Sequence, residues 1–95
     1  MAQLTIASQK KTPQGDRWQF NVKVSNVTNV GGYVSTAGCS YIDFVGGAAA
    51  EDIVNGLRVI PNVQATSDAA NAHPGDCFLS VLSGTSDVYL TLLGR

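Results

Sequence analysis

Between Arg17 and Ser25 the chain alternates strictly: Trp18, Phe20, Val22 and Val24 are apolar, while Gln19, Asn21, Lys23 and Ser25 are polar. A two-residue period places one set of side chains on each face of an extended strand, so this segment predicts a strand with one dry and one wet face. The dry face needs a second layer against it. On this reading Trp18 and Phe20 are core residues. Upstream, Leu4 and Ile6 alternate with polar positions, and Thr12-Pro13-Gln14-Gly15-Asp16 carries Pro and Gly in a turn-like cluster. The expected element is an N-terminal hairpin whose tip bears lysines.

The C-terminal end has a similar pattern. Cys77–Ser83 and Asp87–Leu93 are rich in strand-favouring residues and are separated by Gly84-Thr85-Ser86, which predicts a second hairpin. Two further strands are expected in Ser40–Val45 and Leu57–Ala65. Pro61 cannot donate a ladder hydrogen bond and assigns the latter to an edge or bulge. Ala48–Gly56 contains the only helix-forming run, but Glu51 and Asp52 lie toward its C-terminal end, where the helix dipole disfavours acids, so a short helical turn or a loop is expected. Asn55-Gly56 alternatively turns a small hairpin. The sum is a single all-β domain over residues 1–95, an antiparallel β-sandwich or small barrel with terminal hairpins and little or no helix.

Catalytic chemistry finds few candidates. Ala72-His73-Pro74-Gly75-Asp76-Cys77 gathers the only histidine with a carboxylate and one of two cysteines. A zinc site needs three or four ligands, and Cys39 is remote in sequence with no paired spacing, so His73-Pro74-Gly75-Asp76 reads as a type II turn leading into a strand. A nucleophilic set would have only His73 as base. Glu51 and Asp52 are adjacent and project apart, and the Gly31-Gly32 and Gly46-Gly47 pairs lack the spacing and lysine of a phosphate loop. The expectation is a protein that is not an enzyme and that uses no cofactor and no metal.

Composition turns attention to partners. Charged residues make up 14% of the 95-residue, 9.9 kDa chain, against roughly 25% in an average domain, which suits a surface largely occupied by neighbours. The net charge of −1 speaks against a general nucleic-acid binder. Lys10, Lys11, Arg17 and Lys23 make the first quarter basic, whereas Asp43, Glu51, Asp52, Asp68, Asp76 and Asp87 outnumber Arg58 and Arg95 afterwards. No apolar run approaches the roughly eighteen residues of a membrane span, and the start lacks the regions of a signal peptide. Synthesis in a cytosol is therefore expected, with Cys39 and Cys77 as unbridged thiols and the Asn26-Val27-Thr28 sequon incidental. Tyr33, Tyr41 and Tyr89 are candidates for an exposed interface or a ligand platform.

Three stretches carry a resemblance: the start Met1–Lys10, the pair Tyr41–Val45 and Gly56–Asn62, and the end Asp87–Arg95. Together they resemble the small β-rich virion proteins of tailed bacteriophages, and among these the capsid decoration or cement proteins are similar in size and uncharged β character. The resemblance implies a virion location and copies, often homotrimers, set where major capsid protein subunits meet and bracing the expanded shell. In that setting the residues themselves suggest contact roles: Lys10, Lys11 and Arg17 are expected against acidic shell surface, with edge strands or tyrosines, Tyr33 and Tyr89 among them, as apolar contacts. Two other functions are compatible with such a chain, a glycan- or receptor-binding module of a tail or fibre and a ring component of the tail or neck.

Overall fold

The computed structural model describes residues 2–66 and 71–95; Met1 and Asp68, which entered the readings above, lie outside the described residues. Eight strands follow one another: β1 (Ala2–Gln3), β2 (Thr5–Gln14), β3 (Arg17–Val27), β4 (Gly32–Ser35), β5 (Ile42–Ala50), β6 (Arg58–Pro61), β7 (Asp76–Ser80) and β8 (Ser86–Gly94). They form two four-stranded sheets, a front sheet ordered β2-β3-β8-β5 and a back sheet ordered β1-β4-β7-β6. All neighbours are antiparallel except β1 and β4. Each sheet keeps two free edges, so the architecture is a sandwich and not a closed barrel.

The alternation in β3 sets the layering. Phe20, Val22 and Val24 point inward and pair across the front sheet with Leu92, Leu90 and Val88 of β8. From the back sheet, Val34, Cys77 and Leu79 meet them, and Val27, Cys39, Ile42 and Val81 close the same buried cluster. Each fully buried aliphatic or aromatic side chain here contributes about 1.5–3 kcal/mol through removal from water.

The N-terminal hairpin forms as expected, with β2 on β3 and a two-residue turn at Gly15-Asp16 between the paired Gln14 and Arg17. Gly15 has φ +64 and Asp16 is not left-handed, a combination that suits a primed turn beginning with glycine. Pro13 is not in the turn. It pairs with Trp18 inside the ladder, tolerated because β2 is an outer strand. Trp18 shares the inner face with Phe20 but lies at the sheet's end, where it stays 38% exposed, so its assignment to the core is corrected.

The C-terminal strands do not make a hairpin. β7 lies in the back sheet and β8 in the front, and residues 81–85 cross between them. The cause is that both strands carry apolar side chains for the same core from opposite layers. The crossing segment bonds to other loops: Val81 N–H to Thr28 O at 3.2 Å and Leu82 N–H to Asn55 O at 2.7 Å. Asn55 bridges Ser83, so Asn55-Gly56 does not turn a hairpin of its own.

The helical turn or loop expected over Ala48–Gly56 is met only in part: β5 continues through Ala50, pairing Ala48 with Leu90 and Ala49 with Tyr89, and the loop begins at Glu51. β8 would otherwise expose a full row of unpaired peptide groups, and that tertiary demand overrides the helix preference of alanine. Pro61 closes β6, the outermost strand of the back sheet, as its missing N–H requires. At His73–Asp76 the Asp76 N–H bonds His73 O at 2.8 Å, a β-turn entering β7. Gly75 has no positive φ, so the turn is not type II. Glycine is required there because a Cβ would collide with the Cys39 carbonyl.

Candidate functional site

A single irregularity in β2 decides where its lysines go. The pairing with β3 shifts between Ile6 and Ser8, leaving Ala7 as an extra residue. Such a bulge reverses the facing of everything beyond it. Ile6 points inward, and so do Gln9, Lys11 and Pro13; Ser8, Lys10 and Thr12 face out. The adjacent Lys10 and Lys11 therefore belong to opposite faces.

Outward residues of the front sheet form rows through the register: Ser8, Lys23, Tyr89 and Ala49; then Lys10, Asn21, Thr91 and Gly47; then Thr12, Gln19, Leu93 and Phe44. The first two rows enclose a shallow cavity of about 320 Å³ lined by Ser8, Lys10, Asn21, Lys23, Tyr89 and Thr91. Tyr89 is 46% exposed and Phe44, on the same face two rows away, 54%. Thus the face is polar along β2 and β3 and apolar toward β5.

Hydrogen bonds fix the polar wall. Asn21 Oδ1 accepts from Thr91 Oγ1 at 3.1 Å and from Gln19 Nε2 at 3.3 Å, which leaves the Asn21 amide nitrogen without a protein partner among the described residues. Lys23 lies 3.5 Å from Glu51 and 3.7 Å from Asp87, and its ammonium is 5.3 Å from the Tyr89 ring centre. Its pKa is raised above 10.5, first by the Tyr89 hydrogen bond and then by the charge of Glu51. Lys10 has no hydrogen-bond or ionic partner among the described residues.

Of the five residues singled out from sequence, the structure brings Lys10 and Tyr89 into this cavity and separates the rest. Lys11 sits on the other side of β2 with its ammonium 4.2 Å from the Trp18 ring centre, a cation–π contact at the mouth of the sandwich. Arg17 is engaged with Asp43 at 3.0 Å, and Arg95 reaches the same carboxylate at 3.0 Å. Tyr33, expected at the surface, is 6% exposed and packs with Ala72 and Val63 on the outer side of the back sheet. No common basic tip therefore exists. Asn21, Thr91, Ser8 and Lys23 were not singled out from sequence; their only signal is the polar phase of the alternation in β3 and β8.

Elsewhere, His73 Nδ1 accepts from Gly75 N–H at 3.2 Å, so Nε2 carries the proton and stands 3.3 Å from Asp76 Oδ1. The pair orders the turn. Among the described residues no three His, Cys, Asp or Glu side chains gather as metal ligands. Cys39 and Cys77 are free and buried. Burial pushes the Cys77 thiol up to about 12 and raises that of Cys39 as well, so neither is a thiolate nucleophile at neutral pH. Among the described residues no helix is long and apolar enough to cross a membrane. No protein family, no curated protein and no solved structure matches the chain.

Proposed function

We propose that the chain is a non-enzymatic structural protein of a tailed-bacteriophage virion, a decoration protein that binds the major capsid protein of the assembled shell, as a homotrimer, and stabilises it. The observation that carries this reading is the outer face of the front sheet. A stiff four-stranded surface presents the exposed aromatics Tyr89 and Phe44, of the kind that anchors protein interfaces, with the side chain of Lys10, on the far edge strand, unpaired among the described residues. The sparse charge of the rest of the surface accords with it. A standard interface takes about 800 Å² from each partner, which this chain's 5205 Å² accommodates without loss of its core. Modest contacts repeated over a lattice then act through multivalency.

The test is co-sedimentation with expanded empty shells of the virus that encodes the chain, with native mass spectrometry of the free protein. Saturable binding, reduced at least about tenfold by Tyr89→Ala with Phe44→Ala, and a trimer in solution are expected. Absence of binding to those shells would sink the reading. A second reading, a glycan-binding module of a tail or fibre, draws on Tyr89 standing beside Asn21 and Thr91, an aromatic flank with hydrogen-bonding groups; a glycan-array signal lost in Tyr89→Ala would favour it. A six-membered ring by mass spectrometry would favour a tail or neck component.

A further inference from the structure

The cavity on the front sheet has an unbalanced set of polar groups. Its principal acceptor, Asn21 Oδ1, already receives two hydrogen bonds, from Thr91 and Gln19. Its nearest carboxylates, Glu51 and Asp87, are engaged by Lys23. On residues that line the concavity, the side-chain groups left without a protein partner among the described residues are the Lys10 ammonium and the Asn21 amide nitrogen, both donors only, and the Ser8 hydroxyl, which can donate. A ligand group that only accepts hydrogen bonds and carries negative charge satisfies all of them.

We infer that this cavity binds a carboxylate, supplied by an acidic side chain of the protein partner. The inference rests on the proposed shell-binding function for the source of the carboxylate and on the donor arrangement for its chemistry. Lys10 supplies the charge. Asn21, held by Thr91 and Gln19, supplies a fixed donor that needs no reorganisation on binding. Tyr89 forms the apolar wall along which the methylene carbons of a glutamate or aspartate lie. The bulge at Ala7 is what makes the site possible, because without the extra residue Lys10 would face the core side of β2.

The experiment is a titration of the isotope-labelled full-length chain, followed by NMR at the Asn21 side-chain amide and the Lys10 side chain. The probes are a capped pentapeptide, Gly-Glu-Gly-Glu-Gly, its Gln counterpart and inorganic phosphate. Saturable shifts are expected with the Glu peptide, weakened about tenfold by Lys10→Gln, in line with loss of one charge-assisted hydrogen bond. Lys11→Gln, on the opposite face, leaves them unchanged. Equal shifts with the Gln peptide, a response to phosphate alone, or no saturable shift would each overturn the carboxylate site. Shell co-sedimentation separates the two readings: a chain that binds shells but ignores the Glu peptide retains its proposed function and loses this site.

Discussion

Cys77 shows how far a single residue's environment departs from what its neighbours in sequence suggest. It lies in the only stretch that combines a thiol, a carboxylate and an imidazole, yet its side chain is fully buried and its pKa pushed up from 9.0 to about 12, chiefly by burial. In the unfolded chain the thiol ionises near 9.0, whereas the folded protein holds its proton until about 12. Between those values the unfolded state binds fewer protons, so stability is full below pH 9 and falls as pH rises toward 12, by at most about 1.4 kcal/mol per pH unit from this group. Urea unfolding of the wild type and Cys77→Ala across pH 8–11 checks it. The variant is expected to lose stability less steeply above pH 9, whatever its offset at neutral pH; parallel curves would show that Cys77 does not titrate this way. The adjacent Gly75 marks the limit of local reading. A Pro-Gly pair points to a type II turn, but the glycine answers to the Cys39 carbonyl, a contact made only when the back sheet and the preceding loop are already together.

At the scale of elements, strands with a clear two-residue period were legible and those defined by their partners were not. β3 read directly from alternation and β8 from its strand-favouring residues, and Pro61 pointed to an edge or a bulge, of which the structure shows the edge. β5 was legible only in its first part, within the strand expected at Ser40–Val45; Gly46–Ala50 has no alternation and its extended form is imposed by the ladder to β8. The false C-terminal hairpin has the same origin: alternation says which residues face a core, not from which layer. The start of β5 has a further partner that no period announces. Ile42 N–H donates to Asn62 Oδ1 and Asn62 Nδ2 donates to Ile42 O, both at 2.8 Å, so one side chain completes the sheet edge as a strand would. Asn62 holds φ +59, which asparagine tolerates better than most residues. Asn62→Gly keeps that backbone and removes both bonds, and a loss of about 1–3 kcal/mol is expected in urea titration. Asn62→Ala adds the left-handed penalty of about 1 kcal/mol or more. If Asn62→Gly matches the wild type, the edge is satisfied by water and the side chain contributes no stability.

For the whole molecule, the all-β class followed from the sequence, which left sandwich and small barrel open, while the outer-face site required the register. Lys10 and Tyr89 are 79 positions apart by their numbering and line one cavity only because β2, β3 and β8 lie side by side with a bulge at Ala7. The size of the molecule bears on the proposed trimer. A 95-residue sandwich with one modest core is near the lower range of self-sufficiency, so subunit contacts would supply part of its stability. Linkage then makes the melting temperature depend on concentration. For a trimer that unfolds to three free chains, each tenfold rise in protein concentration adds about 0.9 kcal/mol of stability per chain. With the unfolding entropy usual for a domain of this length, that corresponds to an upward shift of about 4 °C in Tm. Differential scanning calorimetry from about 5 to 500 μM protein, spanning the concentrations at which such linkage is read, is therefore expected to show Tm rising by roughly 8 °C. A Tm constant over that range, with calorimetric and van't Hoff enthalpies equal, would describe a monomer that stands on its own core and would remove the solution trimer from the proposal. The same series in Tyr89→Ala with Phe44→Ala tests whether the outer face also holds the trimer. Preserved concentration dependence would leave that face free for the shell, with the subunit contact elsewhere on the sandwich.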